Sequence, residues 1–171
     1  MKKKLILLCV MAIPMIVQSQ YDINSFHYGI SINKNLGQAK EIGVGLRAEY
    51  AMNCSTTFIA EYNRSFFIDS ENNQEGYNEV ALGANIILFN WYPTTITAGI
   101  GYIGNDSSIF KSIEDNAYLS FRTGSFNHGA QIKLRGIQEL TESLHLFGEL
   151  NIKSLGRRYD TVVIGLSYDF Y

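Results

Sequence analysis

From Phe26 to the C-terminus the chain repeats one pattern: apolar and polar residues alternate over runs of about ten residues, and polar clusters end each run. Period two is the signature of a strand with two unlike faces. No apolar run after Gln20 approaches the about 20 residues that a membrane-spanning helix requires, so antiparallel strands joined by turns are the fold class left. Phe26, Tyr28, Ile30 and Ile32 alternate with His27, Gly29, Ser31 and Asn33 in a first strand, and Ile42 to Met52 form a second. Phe58, Ala60 and Tyr62 mark a third, Val80, Leu82, Ala84, Ile86 and Leu88 a fourth, and Ile96, Ala98, Ile100 and Tyr102 a fifth. A sixth carries Ala130, Ile132 and Leu134, and a seventh Leu144, Leu146, Leu150 and Ile152. The eighth, Val162, Ile164, Leu166, Tyr168 and Phe170, has the most regular register.

The first twenty residues read differently. Lys2, Lys3 and Lys4 precede an apolar run from Leu5 to Val17 and then Gln18, Ser19 and Gln20, the order of a secretory signal peptide. Residues 1–19 are expected to be cleaved, leaving 20–171 as one domain. The 14 basic residues of the full chain become 11, against 16 acidic ones, which argues against a nucleic-acid partner. Cys9 leaves with the signal, and Leu8 before it does not suit a lipoprotein site. Cys54 then has no intramolecular disulfide partner and cannot form a cysteine zinc site.

Connector length adds a second pattern. Links at 53–55, 90–93 and 138–143 are short, while those at 34–40, 68–77, 104–126 and 153–160 are mostly longer and more polar. Alternation alone does not say whether the apolar face meets lipid or a dry core, because a soluble lipocalin-like barrel shows the same period. The polar face decides: it holds Gly, Ser, Thr and Asn with few charges, where a water-exposed surface carries about 25–35% charged residues. Glycines 29, 43, 45, 83, 99, 101 and 165 suit a narrow interior, with room for Arg47, Glu49 and Glu61. Tyr50, Phe58, Trp91, Tyr92, Tyr168 and Phe170 gather at the short-turn ends of their strands, as in an interfacial aromatic girdle.

Together these features resemble the small eight-stranded outer-membrane barrels of the OmpA and OmpX type, over nearly all of residues 20–171. The resemblance implies an all-β, eight-stranded antiparallel up-and-down transmembrane β-barrel. It also implies short turns and both termini on the periplasmic side, and long loops outside. Val162 to Phe170 is similar to that family's C-terminal assembly signal, with Tyr168 and Phe170 as its aromatic positions, which implies a barrel-assembly machinery as partner. Tyr171 extends one residue past the usual terminal aromatic.

Chemistry is sparse. Pairing across the turn at Cys54 places Arg47 opposite Glu61, with Glu49 on the same face. Across the 138–143 turn, Lys133 and Arg135 face His145 and Glu149, giving a second set of complementary charges. These seven are expected to plug the lumen. A His-x-Ser motif of the lipid A deacylase kind is only echoed at His128-Gly129-Ala130, where Ala130 replaces the nucleophile while Glu139 and Glu142 lie downstream. His27, His128 and His145 sit on separate strands without metal-ligand spacing, so no metal or other cofactor is expected. The 104–126 loop contains Ile109, Phe110, Ile113, Tyr118, Leu119 and Phe121; these form either a partner site or two strands continuing above the membrane. Arg64, Arg157 and Arg158 near the outer ends suit lipopolysaccharide phosphates or plain solubility. The expected function is therefore non-enzymatic, in envelope integrity or surface interaction through the loops, with lipid, lipopolysaccharide or an extracellular or envelope protein as partner. The alternatives are a lipid-modifying enzyme and a soluble barrel for an apolar ligand.

Overall fold

A computed structural model describes residues 23–37, 41–67, 76–108, 119–155 and 159–170. The strands are β1 (Phe26–Asn35), β2 (Glu41–Asn53), β3 (Thr56–Phe67), β4 (Asn78–Trp91), β5 (Thr94–Asn105), β6 (Phe121–Thr123), β7 (Phe126–Glu139), β8 (Leu144–Lys153) and β9 (Thr161–Phe170). Eight of them form one antiparallel sheet in the order β5-β4-β3-β2-β1-β9-β8-β7, and β7 pairs back onto β5. The sheet is thus closed, as the eight predicted strands require. The three-residue β6 is an arm on the start of β7, with Phe121 opposite His128 and Thr123 opposite Phe126, so part of the 104–126 connector does continue as strand.

Closure joins the first and last strands in full register, from Phe26 opposite Phe170 to Asn35 opposite Thr161. Period-two side chains make that register unforgiving, because a slip of one residue would turn every lumen group toward the outside. The short links are built locally. In the β2–β3 turn Asn53 Oδ1 accepts the backbone N–H groups of Ser55 and Thr56, each at 2.9 Å. Between β7 and β8 the Thr141 hydroxyl accepts the N–H of Leu144 at 3.1 Å.

Burial settles which face is which. Ile30, Leu46, Leu82, Ile100, Ile132 and Ile164 are exposed, whereas Arg47, Glu49, Lys133, Arg135 and Glu149 are buried. The polar face forms the packed interior and the apolar face the outer wall, the reverse of a soluble barrel. One expectation about β4 needs correction. A bulge lies between Ile87 and Phe89, so Leu88 is the extra residue and Phe89 takes the outward position.

The glycines also serve other neighbours than expected. A Cβ at Gly43, Gly45 or Gly99 would run into the Asn33, Asn63 or Asn85 carboxamide, and at Gly165 into the Phe147 ring; none is first met by Arg47, Glu49 or Glu61. Phe147 is 1% exposed and points inward, while Gly148 takes the outward position beside it. Gly165 on the adjacent β9 and Gly29 on β1 beyond it leave the space that this one large ring fills.

Candidate functional site

The lumen is stacked in three tiers. In the middle, Arg47 and Glu61 are register partners on β2 and β3, and the Arg47 Nε donates to Glu61 Oε1 at 2.7 Å. The same guanidinium reaches across the barrel to Glu149 on β8 at 2.6 Å, and lies 4.2 Å over the Phe147 ring. Lys133 on β7 ion-pairs with Glu61 and lies 3.8 Å from Glu149. Arg135 makes a two-pronged contact with Glu49, both bonds 2.7 Å, and the Thr57 hydroxyl donates to the same carboxylate. Three cations and three carboxylates therefore share one buried network in which the charges balance.

This corrects the expected pairing within each hairpin. Arg135 is the register partner of Glu149, yet its guanidinium goes to Glu49 on the opposite wall, and Glu149 is left to Arg47 and Lys133. The two predicted sets merge into one network across the lumen. His145 does not join it. Its Nε2 donates to Asp169 Oδ2 at 2.8 Å, Asp169 also bonds His27 Nδ1, and His27 Nε2 meets the Ser25 hydroxyl at 2.9 Å. This second tier lies at the short-turn end, where β1, β8 and β9 meet. Sequence reading missed Asp169 as a partner, although pairing β1 with the last strand sets it directly opposite His27.

The third tier lies toward the long connectors. Lys153 donates to Glu79 at 2.7 Å, and Glu41 accepts from Asn35 and from the Tyr77 hydroxyl, both at 3.1 Å. Burial, with the Glu79 and Glu41 carboxylates beside it, pushes the Tyr77 phenol above its ordinary range, so it stays a donor. Tyr77 meets Tyr159 edge-on at 5.8 Å, and with Ala81, Ile103 and Leu155 they make an apolar cluster over this end of the lumen.

On the outer wall, the short-turn ends carry the expected aromatics, Trp91 at 85% and Tyr92 at 73% exposure among them. A second aromatic set, which sequence reading did not collect, lies at the other end: Tyr62, Phe66, Tyr102 and Phe121 are exposed there. Phe121 stacks on His128 at 4.6 Å, and the Tyr102 hydroxyl shares a hydrogen bond with His128 Nδ1 at 2.8 Å. Tyr168 and Phe170 face outward at the end of β9. Phe110, Tyr118, Arg157 and Arg158 lie outside the described residues. Among the described residues no group of His, Cys, Asp or Glu is arranged to hold a metal ion.

Several solved structures share this fold. A structure from the de novo design of transmembrane β-barrels matches with a TM-score of 0.62 at 12% identity, covering 90% of this chain and 100% of its own. Neisserial surface protein A matches with 0.61 at 15% identity over 85% of this chain and 97% of its own. The N-terminal β-barrel domain of Pseudomonas aeruginosa OprF gives 0.59 at 13% identity over 86% and 98%. No protein-family model matches the chain, and no curated protein matches its sequence. The likeness is one of fold: a closed, eight-stranded antiparallel barrel of the outer-membrane type.

Proposed function

We propose that this is a non-enzymatic barrel of a Gram-negative outer membrane, exported by a cleaved signal peptide, with a lumen plugged by side chains. Its role is in envelope integrity or surface interaction through the loops at its long-connector end. The observation that carries this reading is the inverted wall: an apolar belt edged by aromatics outside, and a charge-balanced network inside. Lipid is the solvent such a belt fits. Three tiers of buried side chains support the plug, since an eight-stranded barrel has room only for side chains. Planar bilayer recordings are accordingly expected to show no large stable conductance, and porin-like steps would refute the plug.

The enzyme alternative loses support at its one motif. His128 is engaged by Tyr102 and Phe121, while Glu139 lies eleven residues along the same strand, roughly 35 Å away at the usual strand rise. No relay spans that distance. Partners that fit are outer-membrane lipid and lipopolysaccharide along the belt, and the barrel-assembly machinery at Tyr168 and Phe170. An extracellular or envelope protein at the loops, with Phe121 in reach, completes the set.

Orientation has a built-in reporter. Cys54 is exposed in the β2–β3 turn and is the sole thiol of the chain after residue 19. With short turns in the periplasm, a membrane-impermeant maleimide leaves Cys54 unlabelled on intact cells and labels it once the outer membrane is permeabilised. Labelling of intact cells would reverse the orientation.

A further inference from the structure

Arg47, Lys133, Arg135 and Lys153 in the lumen each face a carboxylate; Arg64, on the outer wall, makes no ion pair among the described residues. It projects from β3 on the outward face, in line with exposed Tyr62 and Phe66, toward the long-connector end. Its Nη1 donates to Asn78 Oδ1 at 3.0 Å, the Tyr62 hydroxyl donates to the same oxygen at 2.7 Å, and the guanidinium lies 5.8 Å over the Phe66 ring. Asn78 is itself fixed, its amide donating to Asp106 at 2.7 Å. The guanidinium is held in place through one nitrogen, and its other N–H groups have no hydrogen-bond partner among the described residues.

An apolar groove leads away from it. Cα register aligns Ile164, Ile32, Val44 and Arg64 in one outward row, with Leu166, Ile30, Leu46 and Tyr62 in the next. Between the rows lies a groove of about 550 Å³ whose polar end is Arg64 and Tyr62. That volume falls in the range of about 300–1,000 Å³ in which small molecules bind. A guanidinium held through one nitrogen above an apolar channel, with N–H groups to spare among the described residues, is complementary to a phosphate carried on an acyl chain, because guanidinium N–H groups match phosphate oxygens two at a time.

We propose that Arg64 and the Ile32–Leu46 groove form a specific site for a phosphorylated glycolipid of the outer leaflet, with its phosphate on Arg64 and one acyl chain in the groove. The assignment to lipid A rests on the orientation proposed above, since Arg64 lies toward the long connectors. The mature chain, folded in detergent and freed of lipid, would be titrated with lipid A and scored by native mass spectrometry. One molecule is expected to bind tightly, with Arg64→Gln weakening it about ten-fold or more. Lipid A stripped of its phosphates should bind as weakly to the parent as intact lipid A does to Arg64→Gln. Val44→Trp fills the groove with an apolar side chain and should weaken binding while leaving the guanidinium intact. Gel migration would report that each variant is folded. Binding unchanged by both substitutions overturns the site, and equal affinity for phosphatidylglycerol overturns its assignment to lipid A. Failure here with the expected Cys54 pattern discards this site alone, whereas a reversed Cys54 pattern discards the orientation beneath it.

Discussion

Glu61→Ala is expected to destabilise the barrel by about 3–5 kcal/mol, the cost of removing one partner from a buried ion pair. Glu61 is the shared acceptor of Arg47 and Lys133, and its side chain is 7% exposed. Without it, three buried cations are left with Glu49 and Glu149, and Lys133 keeps only a contact of 3.8 Å. The measurement is urea unfolding of the lipid-reconstituted protein followed by the fluorescence of Trp91, the only tryptophan. Lys133→Met added to Glu61→Ala should recover part of the loss, because the double variant removes a cation that the single one leaves uncompensated. If the two substitutions instead add independently, the network does not couple β3 to β7.

Leu166→Arg is expected to be the most damaging single change on the outer wall. Leu166 faces outward from the middle of the closing strand, in register with Ile30 on β1 and Leu146 on β8. A guanidinium there meets hydrocarbon at a cost of about 2–4 kcal/mol near the bilayer midplane. Ser167→Thr, one residue along and on the lumen side, keeps its hydroxyl, adds one methyl group and should fold with a yield close to the parent. Heat-modifiable gel migration separates folded from unfolded barrel and gives both yields. Equal yields for Leu166→Arg and the parent would mean that the wall at Leu166 does not meet lipid.

The strands were legible because the outer wall and the lumen impose opposite demands on alternate residues, so each strand carries its own label. The Arg47 and Glu61 pairing was also readable, since a tight turn fixes the register of the residues flanking it. Contacts across the lumen were not. Whether Arg135 meets Glu149 beside it or Glu49 opposite depends on how eight strands close, and no local pattern encodes the distance across a barrel. Phe147 escaped for a related reason: an inward aromatic with an outward glycine reads as a break in alternation until Gly29 and Gly165 appear beside it. The bulge at Leu88 and the arm at β6 are likewise exceptions to period two, and only pairing with a neighbour reveals them.

If the exposed apolar wall of this barrel is solvated by lipid, the protein leaves a membrane only with detergent. The deciding measurement is fractionation of cells expressing the full chain, with an alkaline carbonate wash of the membranes. The mature protein is expected to sediment with the outer membrane, to resist the wash and to be released only by detergent. Recovery of the folded protein in the soluble periplasmic fraction without detergent would mean that the wall is not a lipid-facing surface.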